Sequence, residues 1–314
     1  MPSNASSHAA RPVDWVVFVL AAAFFASNLV FGRGISADVA PYITAFLRWT
    51  GSALLLLPFV YADRDACIAF VRQHPLLWLA LGVLGMVVCG GGVYWSLQYT
   101  TASNATLIYT TSSLFILALE WLFRGRAIGP RELAGMGIAF VGVAIIVLKG
   151  DWQAARHFRF NPGDLGILAA AISWAGYSLL LRNKAVTSMA PLASFGMVGI
   201  AGAVALAPFA LVEFISGGAR PDTAHDWVRI AGIIVFASLA AFACFQHAVR
   251  VFGPSLAGVS LYLMPPFSII MATVFLGERF ETYHGAGIAF VMSGVVLATA
   301  SIGRRKQAPA TTES

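Results

Sequence analysis

Between Cys89 and Tyr109 the chain reads CGGGVYWSLQYTTASNATLIY. Tyr94 and Gln98 stand four residues apart, the spacing that puts two side chains on one helix face, with Trp95 beside them. Tyr109 and Ser113 repeat that spacing, flanked by Thr111 and Ser112. These groups stack, donate and accept hydrogen bonds, but include no nucleophile paired with a base. The stretch lies between two long apolar runs, where a polar group facing lipid costs free energy unless it finds a partner or water. Two readings follow: a helical hairpin lining a water-open cavity, or groups that satisfy one another at helix contacts with Tyr99 and the threonines at the interface belt. Gly90, Gly91 and Gly92 permit close approach of a second helix in either case.

A related concentration lies further on. Trp174 and Tyr177 are three apart, and Ser178 is four from Trp174. Gln246 and His247 end one apolar run, and Tyr262 precedes Pro265-Pro266 in the next, where two prolines inside a span would free backbone carbonyls for a ligand or a hinge. Asn28 stands 150 residues before Ser178, so both halves place a small hydrogen-bonding group at one depth. Glu120 is eleven residues after Tyr109, about three turns, and points the same way. A buried acid there can carry protons or bind a cation, or pair with Arg124 four residues on. Glu120 and His247 are the two candidates for proton coupling. Arg48 either attracts an anionic group or anchors structure.

The sequence holds no HExxH, no G-x-S-x-G, no Walker loop and no aspartate pair at metal spacing within a span, so an enzyme, a metal site and a cofactor are not expected. Cys67, Cys89 and Cys244 are scattered and form no disulfide framework. The net charge of +6 comes without an aromatic-plus-basic nucleic-acid motif, and no nucleic-acid partner is expected.

The elements that must carry these residues are membrane helices. Of 314 residues 59% are hydrophobic and 11% charged, far from the roughly one-quarter charged of a soluble domain. The apolar blocks run to about twenty residues, enough to cross some 30 Å of hydrocarbon as helix. Ten spans are expected, over 13–32, 41–61, 76–99, 101–123, 131–149, 163–182, 189–212, 227–248, 254–276 and 284–302. The chain also resembles itself at a shift of 150 residues. GMGIAFV at 135–141 returns as GAGIAFV at 285–291, Asp14 matches Asp164, Pro41 matches Pro191, Pro58-Phe59 matches Pro208-Phe209, and Gly82 matches Gly232. An odd number of spans per half puts the second half into the membrane from the opposite side. The expected fold is therefore an all-α integral membrane protein with ten transmembrane helices in two inverted-topology five-helix repeats. The organisation is a tail (1–12), a first repeat (13–149), a linker (150–162), a second repeat (163–302) and a second tail (303–314). Lys and Arg are in excess on the side of both termini, which places both tails in the cytoplasm.

These features resemble the drug/metabolite transporter superfamily, in particular EamA-type exporters. The resemblance rests on the segment from Pro265 through FLGERF with Glu278, followed by GAGIAFVMSGVV, and on FLRW at 46–49. The first half departs from the pattern, with Ser113 for the proline and FRGR for the L-G-E. Within the superfamily the chain is similar to YddG-type bacterial amino-acid exporters. That resemblance implies a central cavity at Tyr94, Trp95, Gln98, Tyr109, Thr111, Trp174 and Tyr262, to which the residue reading adds Asn28, Tyr177 and Gln246. It implies export of neutral or aromatic amino acids across the bacterial inner membrane, by alternating access; a monomer is the expectation for the assembly, which the sequence itself does not report. The alternative is an exporter of hydrophobic drugs or other small metabolites on the same fold.

Overall fold

The computed structural model describes residues 11–125, 129–150, 161–260 and 263–305. All regular structure among them is helical. The principal helices are α1 (Pro12–Ile35), α2 (Pro41–Ala62), α3 (Arg64–Gln73), α4 (Pro75–Ser96), α5 (Ala102–Thr110), α6 (Ser112–Arg124), α7 (Pro130–Val147), α8 (Pro162–Leu180) and α9 (Pro191–Ile215). They are followed by α10, which starts at Ala224 and stays helical to Ser260, then α11 (Met264–Leu276) and α12 (Thr282–Arg305). Among the described residues, seven stretches are long and apolar enough to cross a membrane, and Met264–Leu276 and Thr282–Leu297 are shorter apolar helices.

The starts of these helices follow from the sequence. Pro12, Pro41, Pro75, Pro130, Pro162 and Pro191 each occupy the first turn of their helix, where a missing N–H leaves nothing unpaired. Pro265 does the same for α11. The Pro265-Pro266 pair therefore stands in the first turn of a helix instead of in the middle of one.

Three further boundaries differ from expectation. The loop after α2 holds the ten-residue helix α3, whose Cys67 and Phe70 are buried. The 101–123 span is broken at Thr111 into α5 and α6. The expected loop at 249–253 is helical, part of α10.

Positions 150 residues apart recur in equivalent roles. Pro58 lies inside α2 and Pro208 inside α9. A π-helical stretch occupies Val83–Gly92 of α4 and another Ile233–Ala240 of α10; such wide turns are rare and concentrate at functional positions. Helices α2 and α9 run antiparallel and cap each other. Glu213, at the end of α9, accepts the backbone N–H groups of Tyr42 and Ile43 at the start of α2, both at 2.9 Å. Asp63, at the end of α2, accepts that of Ala190 at the start of α9 at 2.7 Å. A helix start exposes unpaired N–H groups and a positive dipole end, so a carboxylate there satisfies both.

Helices α7 and α12 form a second antiparallel seam, with Gly142 against Val291 and Phe290, Gly287 against Ile146, and Gly294 against Ala139 and the Gly135 carbonyl. These contacts leave no room for a Cβ, since one on Gly294 would sit 2.5 Å from that carbonyl oxygen. Gly137, on the same α7, has open space around it.

Two outcomes are expected from thermal melting of the purified protein in detergent. Gly294→Ala destabilises by about 1–3 kcal/mol, the usual cost of overpacking, whereas Gly137→Ala is neutral or slightly stabilising. Asp63→Ala and Glu213→Ala each lose about 0.5–2 kcal/mol, the range for a lost helix cap.

Candidate functional site

Three helices converge on Arg48 of α2, which is only 6% exposed. Its Nε donates to Ser238 Oγ in the π-helical part of α10 at 2.8 Å. Its Nη1 donates to Asn28 Oδ1 of α1 at 2.6 Å and to the Tyr94 hydroxyl of α4 at 3.0 Å. Its Nη2 donates to the Ala237 carbonyl at 3.2 Å. The Tyr94 hydroxyl donates in turn to Asn28 Oδ1 at 2.9 Å, closing a triangle. All of these acceptors are neutral, and Arg48 belongs to none of the ion pairs among the described residues. The neighbouring Trp49 is buried, its ring centre 4.8 Å from Arg48 Cζ, and its indole N–H has no hydrogen-bond partner.

The glycines of the opening stretch allow this convergence. A Cβ on Gly91 would overlap the Tyr42 ring, and one on Gly90 would lie 3.3 Å from Trp49 Nε1. They serve close approach of α4 to α2.

An aromatic cluster adjoins this network in one continuous core. The rings of Tyr109 (α5) and Trp174 (α8) are 6.1 Å apart, and those of Trp174 and Tyr177 5.1 Å apart, all tilted. Gly85 of α4 lies against Tyr177, where a Cβ would be 2.7 Å from the ring. Ser173 Oγ donates to the Leu84 carbonyl at 3.0 Å, and the Cys89 thiol to that of Ala170 at 3.2 Å, fixing α8 against α4. Thr111, at the α5–α6 break, is fully buried and turns its hydroxyl onto the Ile108 carbonyl at 2.6 Å.

The other sequence-predicted residues lie elsewhere. Helix α4 ends at Ser96, so Gln98 does not continue the Tyr94 face; its Nε2 donates to the Ser36 carbonyl at 3.1 Å. Trp95 is partly exposed and packs against Tyr99 at 5.1 Å. Gln246 is half-buried on α10 beside His247. Tyr262 lies outside the described residues. Glu120 pairs with Arg182, beyond the end of α8. His247 Nε2 lies 2.9 Å from Asp14 Oδ1 of α1.

The sequence reading passed over two arrangements. Asp164, the repeat mate of Asp14, accepts the Thr100 hydroxyl at 2.6 Å, while its second oxygen is buried without a partner beside a cavity of about 190 Å³ lined also by Asn161, Ile108, Phe140 and Val143. The only earlier signal was the 150-residue match. Glu278, quoted as a motif residue, accepts the N–H groups of Ala102 at 2.8 Å and Ser103 at 3.3 Å and the Ser103 hydroxyl at 2.8 Å. It caps α5. His284 Nδ1 accepts the Glu281 N–H at 3.0 Å, which leaves Nε2 as the donor to Asn104 Oδ1, also at 3.0 Å.

The EamA-like transporter family matches the chain twice, over residues 15–148 and 161–300. An uncharacterized transporter of Archaeoglobus fulgidus is 28% identical over 291 residues, 91% of this chain and 96% of the relative. A probable terminal-alkyne amino-acid exporter of Streptantibioticus cattleyicolor is 28% identical over 244 residues, 76% and 77% of the two chains. An S-adenosylmethionine/S-adenosylhomocysteine transporter of Chlamydia muridarum is 21% identical over 293 residues, 91% and 90%. A solved crystal structure shares the fold at a TM-score of 0.62 and 19% identity, covering 95% of this chain and all of its own. A multi-pass helical chain matched in both halves by a single family of transporters is a transporter by kinship, and the chain belongs to the EamA-like transporter family.

Proposed function

We propose that the chain exports neutral or aromatic amino acids through a central site, by alternating access between two inverted-topology five-helix halves. The observation that carries this reading is the Tyr109–Trp174–Tyr177 cluster beside the Asn28–Arg48–Tyr94 network, in the core where α1, α2, α4, α5 and α8 meet. Ring faces suit an aromatic side chain or an ammonium, and the network suits the polar end of an amino acid. An amino-acid exporter among the relatives supports the cargo class.

The inverted halves draw support from the double family match and from the reciprocal Asp63 and Glu213 caps. Alternating access then consists of one half rocking against the other along the α2–α9 and α7–α12 seams. The ten spans are α1, α2, α4, the α5–α6 pair, α7, α8, α9, the first part of α10, a ninth completed by α11, and α12. In the bacterial inner membrane, both termini face the cytoplasm.

Asn28, Tyr94, Tyr109, Trp174 and Tyr177 are assigned to the cargo site, with Thr111 setting the break that orients Tyr109. Trp95 and Gln98 are assigned to its outer rim and Gln246 to its α10 side. Glu120 is assigned to the ion pair with Arg182, and His247, against Asp14, is the candidate for coupling.

Counterflow in proteoliposomes tests the function. Wild-type protein loaded with L-phenylalanine is expected to accumulate labelled L-phenylalanine with no inhibition by lipophilic cations. Inhibition by those cations with no amino-acid exchange favours a drug exporter and overturns the reading. Trp174→Ala is expected to abolish exchange at unchanged expression, and normal exchange removes Trp174 from the site. Glu120→Gln is expected to leave exchange and its response to a pH gradient unchanged; loss of that response would move Glu120 from structure to coupling.

A further inference from the structure

Arg48 is a cation held in the hydrocarbon-spanning region with no ion-pair partner among the described residues. Such a placement is costly, because the charge has left water and gained only dipoles in exchange. A purely structural anchor would be served by a neutral side chain bonding to Asn28, Ser238 and a carbonyl. A guanidinium carries five N–H donors, and the bonds to Ser238, Asn28, Tyr94 and Ala237 use four. One N–H remains. The next residue carries a second donor without an acceptor, the buried indole N–H of Trp49, whose ring centre lies 4.8 Å from Arg48 Cζ. Two donors without acceptors and a net positive charge thus sit on two adjacent buried residues. The missing chemistry is an anion with two acceptor oxygens. Repeat symmetry does not account for the arrangement, because Val198 stands at the position 150 residues after Arg48.

We propose that Arg48, with Trp49 as second donor, receives the carboxylate of the transported molecule. The proposal rests on the amino-acid reading above and sharpens it, since an α-carboxylate becomes a requirement for recognition. Asn28, Tyr94 and Ser238 are positioning residues that hold the guanidinium from α1, α4 and α10. Because Ser238 and Ala237 lie on the π-helical stretch of α10 and Arg48 on α2, a carboxylate bound here also bears on the contact between the two halves of the chain.

The test is binding of four matched probes to the purified full-length protein, followed by tryptophan fluorescence: L-phenylalanine, 3-phenylpropionate, L-phenylalaninamide and phenethylamine. Wild type is expected to bind the two carboxylates at least about ten-fold more tightly than the amide and the amine, the worth of one charge-assisted hydrogen bond. Arg48→Gln is expected to erase that preference, and Arg48→Lys to retain part of it. Trp49→Phe keeps the ring and loses the N–H; it is expected to weaken both carboxylates about three-fold or more, and it serves where Arg48→Gln does not fold. Equal binding of acid and amide by wild type, or an undiminished preference in Arg48→Gln, overturns the assignment while aromatic cargo stands. Binding of none of the four overturns the amino-acid reading, and this assignment with it.

Discussion

In hydrocarbon, a backbone N–H at a helix start has no water to turn to. This chain meets the constraint with carboxylates lent from distant helices. Glu213 covers the start of α2, Asp63 the start of α9 and Glu278 the start of α5. Each of these acids is more than a hundred residues from the group it satisfies, so each cap is also a tertiary bond. The first two are reciprocal, which ties α2 and α9 into one antiparallel unit that neither half of the chain can build alone. The glycine seam between α7 and α12 joins the halves a second time by close backbone contact.

Against that rule of local satisfaction, the centre of the protein stands out. Arg48 draws Asn28, Tyr94 and Ser238 around it without an acid, while Tyr109, Trp174 and Tyr177 offer ring faces close by. Polar donors and ring faces sit side by side, which are the two demands of the proposed cargo, a zwitterion with a ring. Weak, partly satisfied sites of this kind suit a transporter, which must release what it binds. The π-helical stretches of α4 and α10 line the same region and loosen the regular ladder where α4 meets α8 and where α10 meets Arg48.

Much of the architecture was legible in the sequence, because length and apolarity dictate spans and a fixed 150-residue shift dictates repetition. Trp174 with Tyr177 was legible because neighbouring positions on one helix stay neighbours in space. Gln98 was misplaced because four-residue spacing guarantees a shared face only while the helix lasts, and α4 stops at Ser96. Pro265-Pro266 was read as a mid-span break, although proline fits a helix start equally well. Arg48 was visible as a charge but its surroundings were not. Its partners are 20, 46 and 190 residues away, and nothing in local spacing announces such contacts. Glu278 was read as a motif residue, and only the fold shows that it caps α5.

The central claim is that the two halves are related by inversion across the membrane. Ala37 and Thr187 are exposed residues 150 apart, the first in the turn before α2 and the second at the end of the short helical turn Lys184–Thr187 before α9. With Cys67, Cys89 and Cys244 replaced, Ala37→Cys and Thr187→Cys can be labelled singly in intact cells with a membrane-impermeant maleimide, and again after permeabilisation. The account predicts that position 37 labels from outside and position 187 only after permeabilisation. Labelling of both from the same side would contradict it.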